Sequence, residues 1–342
     1  MRRILRTPAG RIGVVAPILA GAIAVLVWRG PRWSTIEDAF TAVRWEWVAA
    51  AVAINFLSVV VRSLAWKTVV DEALPPPHPQ ARSVFAAFCV GLLANAVLPG
   101  RVGEVARIAV LSRRVRRKAG AWATIAGSVV AHRLFDVVAV TALVIYVLYA
   151  ARIPNWASQA LAIFVGIGLG ALLLALLIAR RQHRPLSDEL GPLRRLVGMA
   201  RRGLAVLHRP APAVVALAFQ LLGWTTQLFA VYTAFKAFGI GAPISAAALV
   251  LVLMNVATVF PLWPGNVGLL QAAVALPLLR YGVGYAHGFA FGIGLQAIEA
   301  SVGVGMGLAF LTREGFSFAM LRHIPEVRDA DLEGDERLER IA

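Results

Sequence analysis

The sequence predicts an all-α polytopic membrane protein, with six full transmembrane helices plus two re-entrant helical hairpins arranged as an inverted repeat. Three observations predict it. Of 342 residues 59% are hydrophobic and 15% charged, with a mean hydropathy of +0.73, against roughly 25% charged residues in a soluble domain. Eight apolar segments recur along the chain, six of them uninterrupted and close to the ~20 residues that cross about 30 Å of hydrocarbon as a helix. The other two are each broken near the middle by a Pro-Gly pair, written "LPGRVGE" (Leu98 to Glu104) and "WPGNVGL" (Trp263 to Leu269).

The first segment, 12–28, runs from Ile12 to Trp28 without a polar cleavage region and reads as an uncleaved span. Residues 1–40 form this span and an outer loop whose Trp28 and Trp33, with Trp45 and Trp47 beyond, mark a membrane interface. The second span, 46–65, returns to a Pro-rich connection at 74–79. The first broken segment, 83–111, starts at Arg82 and ends at Arg113 to Lys118. Both flanks are basic, and the positive-inside rule puts both in the cytoplasm. An even number of crossings is therefore required, which a hairpin turning at Pro99 and Gly100 supplies. Spans 122–149 and 157–179 follow and complete a first half, 41–179. The basic connection 180–211 suits a helix lying on the inner surface. In the second half, 212–315, span 212–235 leads outward, the broken segment 245–279 turns at Pro264 and Gly265 from the opposite face, and span 286–311 returns. The acidic tail, 316–342, and the N-terminus are expected in the cytoplasm of a cell membrane.

The net charge of +16 does not point to nucleic acid, because the basic residues are confined to the connections. They serve as a topology signal and attract anionic lipid headgroups nonspecifically. Cys89 is the only cysteine, so disulfides within the chain are excluded. No acid cluster, HExxH or paired cysteines suggest a metal, and no phosphate loop follows a strand. Neither a cofactor nor an enzymatic activity is expected. The glycines at 303, 305 and 307 lie in an apolar span, where close helix packing explains them better than nucleotide binding.

Polar residues at membrane depth are the candidate site. The first hairpin carries Asn95, Arg101, Gly103, Glu104 and Arg107; the second carries Asn255, Asn266, Gly268 and Gln271. Spacing of three places Glu104 between Arg101 and Arg107 on one helical face, and two arginines against one acid leave positive charge beside a turn with free N–H groups. Arg133 and Asp136 fall near the middle of one span, with His132 on the same face, and Glu299 falls near the middle of the last. Intramembrane charges must face protein or a cavity. Mutual pairing of Arg133 with Asp136 is one account; lining a substrate or proton path is the other. Likewise, the Pro-Gly pairs mark either re-entrant hairpins meeting at mid-depth or kinks in two packing helices.

The stretches "NAVLPGRVGEVARIAVL" (Asn95 to Leu111), "HRLFD" (His132 to Asp136) and "NVATVFPLWPGNVGLLQAA" (Asn255 to Ala273) resemble the lysylphosphatidylglycerol synthase transmembrane region family over about residues 40–315. The matching positions are Asn95, Pro99, Gly100, Gly103, Glu104 and Arg107, then Arg133 and Asp136, then Pro264, Gly265, Gly268 and Gln271. The resemblance implies lipid flipping or transport, with aminoacylated phosphatidylglycerol, hopanoids or isoprenoid-linked lipids as family substrates. It does not imply lysine transfer, because the aminoacyltransferase domain of the fused synthases does not follow the membrane region here. Three readings follow: a transporter of anionic or phosphate-bearing lipid, a membrane enzyme or accessory subunit acting on polyprenyl-linked sugars, and a scaffold whose charges only hold helices together.

Overall fold

The computed structural model describes residues 33–98, 102–115, 121–153, 155–180, 206, 209–259 and 266–313, and every described element is helical. The elements are α1 (Trp33–Thr41), α2 (Trp45–Ala73), α3 (Ala81–Val97), α4 (Gly103–Arg114), α5 (Ala121–Ala150), α6 (Asn155–Arg180), α7 (Pro210–Ala237), α8 (Ile244–Thr258), α9 (Leu269–Leu278) and α10 (Tyr285–Arg313). Five of them, α2, α5, α6, α7 and α10, are long and apolar enough to cross a membrane. They match five of the six expected spans. The sixth, 12–28, lies outside the described residues, as do Pro99, Gly100, Arg101, Pro264, Gly265, most of the 180–211 connection and the tail.

Each broken segment consists of two short helices. At about 1.5 Å per residue, α3, α4, α8 and α9 measure roughly 25, 18, 22 and 15 Å, less than the hydrocarbon thickness. The first pair packs antiparallel. Near its turn the Gly103 N–H donates to Asn95 Oδ1 at 2.8 Å, and at its open end Arg114 Nη1 donates to Ser83 Oγ at 2.5 Å. The helices touch backbone to backbone: a Cβ on Gly103 would lie 2.1 Å from the Gly91 carbonyl oxygen, and one on Gly91 would lie 2.9 Å from that of Gly103. Membrane helices pack by such close approach, since lipid offers little hydrophobic drive.

The second pair, α8 with α9, closes differently. Gly268 has φ +92° and Asn266 φ +45°, left-handed backbone that glycine adopts freely and asparagine tolerates. Gln271 Oε1 accepts from the Gly268 N–H at 2.5 Å, capping α9 from within. Rather than forming their main contact with each other, α3 and α9 both pack most extensively on α10. Small residues make this possible at both ends of α10. Cβ atoms on Gly288 and Gly292 would meet the Cα atoms of Ala275 and Gln271 at 3.0 Å, and one on Gly307 would meet Leu93 Cβ at 2.5 Å. Of the three glycines near 303, Gly303 and Gly307 are packed and Gly305 faces open space.

Two elements differ from the sequence expectation. The stretch read as an outer loop contains α1, because Ile36 and Phe40, four residues apart, share a face that packs with Ala275, Phe289 and Ala290. Also, α2 continues to Ala73, past the apolar run. Its polar last turns are supported by ion pairs of Lys67 with Asp71 and of Glu72 with Arg209.

Candidate functional site

Asp136, Trp224 and Glu299 stand at the midpoints of α5, α7 and α10, and Arg62 stands one turn past that of α2. Among such residues, one chain of ion pairs crosses three helices. Arg107 (α4) pairs with Glu104, Glu104 pairs with Arg133 (α5), Arg133 Nη1 meets Asp136 Oδ2 at 2.9 Å, and Asp136 Oδ1 meets Arg62 Nη2 (α2) at 3.3 Å. Glu104 therefore does lie between two guanidiniums, but the second belongs to Arg133 on another helix; Arg101 is outside the described residues. Asp136 Oδ1 is further occupied: Trp224 Nε1 donates to it at 2.9 Å and Gln220 Nε2 donates to the same atom. This buried carboxylate is thus the anchor of the network.

The sequence folds this way for local reasons. Arg62 lies along α7 only because residue 223 is glycine; a Cβ there would come within 2.4 Å of Arg62 Cγ. Its guanidinium then stacks 5.1 Å from the Trp224 ring centroid, as that of Arg107 stacks 4.9 Å from Trp66 and 5.7 Å from Phe88. Cation–π contacts strengthen in desolvated sites. Trp66 is held in turn by its indole N–H, which donates to Ser128 Oγ at 3.2 Å.

A cleft of about 350 Å³ opens between the first short-helix pair and α5, lined by Arg62, Asn95, Glu104, Arg107, His132 and Arg133 among others. Exposure is graded along it: the side chain of Arg107 is 4% exposed, Glu104 27% and Arg133 48%. Arg62 Nε and Arg107 Nε are buried donors beside it with no hydrogen-bond partner among the described residues. Such groups are costly to bury unsatisfied. The cleft, with three arginines to two acids and free donors, is built to accept an anion.

Among the described residues, the second pair carries no comparable chain of ion pairs. Asn255 Nδ2 donates to the Leu251 carbonyl of its own helix at 2.8 Å, Asn266 Nδ2 donates to that of Ala257 at 3.4 Å, and Gln271 Nε2 donates to Gln296 Oε1 at 2.6 Å. Glu299 accepts from Gln227 Nε2 at 2.9 Å, apart from the cleft. Similarly, the freed N–H expected at the first turn is partly occupied, since Asn95 takes that of Gly103. Sequence reasoning overlooked Arg62, Gln220, Trp224 and Gln227. The signal for Arg62 was present, a lone arginine inside an apolar run; that for the α7 residues was their i, i+4, i+7 spacing.

The family model described as the lysylphosphatidylglycerol synthase TM region matches residues 12–307, across the cleft and both helix pairs. The chain belongs to that family. No curated protein and no solved structure matches it. Within the family match fall all the cleft residues, four of the five long apolar helices and most of the fifth, α10, so the chain is a multi-pass membrane protein of this family.

Proposed function

We propose that this protein is a lipid transporter that moves a phosphate-bearing lipid between leaflets, the headgroup passing through the arginine cleft while the acyl chains stay in the bilayer. In this reading the two short-helix pairs are re-entrant hairpins entering from opposite faces, and the chain is an inverted repeat with its charge kept on the first copy. The observation that carries the proposal is the cleft itself: arginines in excess of acids, with buried donors unsatisfied, at the depth of the helix midpoints. Arg133, the most exposed of the three, receives the phosphate first; Arg107, over the rings of Trp66 and Phe88, binds it deeper. Glu104 pairs with both and is the group that phosphate displaces. Lipid phosphates of phospholipids and of isoprenoid-linked lipids share this chemistry, and family membership supports a lipid as cargo.

The test is a leaflet assay in proteoliposomes with fluorescent phosphatidylglycerol and an outside quencher. Each arginine makes charge-assisted bonds worth about 1.5–3 kcal/mol, so Arg107→Ala and Arg133→Ala should each slow movement roughly 10- to 100-fold. Equal rates in these variants, with the protein monodisperse, refute the assignment. A second reading, a scaffold, is favoured by the continuity of the ion-pair chain across α4, α5 and α2. It predicts that the same variants lose their fold and that wild-type protein moves no lipid.

A further inference from the structure

Glu299 differs from the other mid-helix acids. Glu104 and Asp136 each pair with two arginines, whereas Glu299 has no ion pair among the described residues and accepts one hydrogen bond, from the neutral amide of Gln227 at 2.9 Å. That amide suits either form of the acid, since its N–H donates equally to a carboxylate oxygen or to the carbonyl oxygen of a protonated acid. Of the elements packed on α10, α2 brings a charged group to bear on Glu299, namely Arg62, and Asp136 of α5 lies behind Arg62. The others are neutral there: Gln227 on α7, Gln271 of α9 against the adjoining Gln296, Leu92 and Leu93 of α3 against Gly303 and Gly307, and the apolar face of α1.

Charge then links Glu299 to the cleft. Among the described residues, Arg62, Arg107 and Arg133 are offset by Glu104, Asp136 and ionised Glu299, so this group of six is neutral without cargo. A monoanionic headgroup entering the cleft adds one uncompensated negative charge at a depth where such charge is strongly disfavoured. A proton on Glu299 removes it, and Glu299 is the acid whose protonation breaks no ion pair. We infer that Glu299 is a proton-binding site coupled to the cleft, so that one proton crosses the membrane with each monoanionic headgroup. This rests on the lipid-transport reading above. The O–H bond of Glu299 forms while the lipid binds and breaks as it leaves on the other side; no other bond changes. Because coupling is reciprocal and the transported pair is neutral, a pH difference drives the lipid and a voltage does not.

The experiment uses proteoliposomes of the full chain with fluorescent phosphatidylglycerol. A one-unit pH step should concentrate the probe in the leaflet facing the alkaline compartment, up to about tenfold for one proton per lipid, and a potassium–valinomycin voltage should not. Glu299→Gln should still move the probe but at a rate indifferent to pH, without concentrating it. Glu299→Asp, which still titrates, should recover the pH response and so separates loss of the proton site from loss of fold. Wild-type movement that ignores the pH step, or pH-driven accumulation that survives Glu299→Gln, overturns the inference and leaves lipid transport standing. A probe that stays in its leaflet both with and without a gradient overturns lipid transport, and this inference with it.

Discussion

Replacing Gly103 by alanine tests the geometry that shapes the cleft. The added Cβ would lie 2.1 Å from the Gly91 carbonyl oxygen and 2.5 Å from Asn95 Cγ, where ordinary contact begins at 3.4 Å. The first of these contacts is with backbone, which cannot rotate away, so α3 and α4 must part by about 1.3 Å, the difference between 3.4 and 2.1 Å. Overpacking of this kind costs about 1–3 kcal/mol. Loss of the Gly103 to Asn95 hydrogen bond, on which the cap of α4 depends, adds about 1 kcal/mol. Gly305 is the internal comparison: nothing lies within 4 Å of its Cβ position, so Gly305→Ala should be neutral or stabilising by up to about 1 kcal/mol through helix propensity alone. Thermal unfolding in detergent, followed by tryptophan fluorescence, should give a clearly lower midpoint for Gly103→Ala than for Gly305→Ala, and the leaflet assay should fall for the first variant only. Equal midpoints and equal rates would refute the argument that backbone contact between α3 and α4 positions Glu104 and Arg107.

Asp136→Asn keeps an acceptor for Trp224 but takes from Arg62 its ion-pair partner and leaves Arg133 with Glu104 alone, which should destabilise the protein by about 3–5 kcal/mol. The double variant with Arg62→Met should be less destabilised than the sum of the two single ones, measured by the same unfolding assay. Cys89 is fully buried and is the single cysteine; a membrane-permeant maleimide should label it in SDS and leave it unmodified in the native detergent-solubilised protein, as read by intact mass.

Helix positions were legible wherever apolar runs were long. The expected spans 122–149 and 286–311 differ from α5 and α10 by one or two residues at each end, because apolar composition and helix length answer to the same bilayer. Hydropathy does not register where a helix continues on ion pairs, as α2 does through Lys67, Asp71 and Glu72. Of the site, Glu104, Arg107, Arg133 and Asp136 were readable as intramembrane charges, but their partners were not. Spacing along one helix suggested Arg101, which lies outside the described residues, for Glu104; among the described residues the second partner comes from α5. The neutral donors to Asp136, Gln220 and Trp224, carry no charge to mark them within an apolar span, and they become visible only when α7 is set beside α5. For Asn266 and Gln271 the residue types were readable but the partners were not: Asn266 reaches the Ala257 carbonyl, and Gln271 joins the Gly268 N–H to Gln296 of α10.

The glycine contacts at the two ends of α10 give this helix the character of a beam resting on two supports. Side chains can yield by changing rotamer, but Gly288 and Gly292 meet Cα atoms of α9, and Gly307 meets the Cys89 carbonyl oxygen of α3, so sideways force on either support passes into the beam as tilt. Glu299 sits at its centre, where tilt produces the least displacement. A displacement of one short-helix pair is therefore expected to reach the other through α10, with the central carboxyl group moving least.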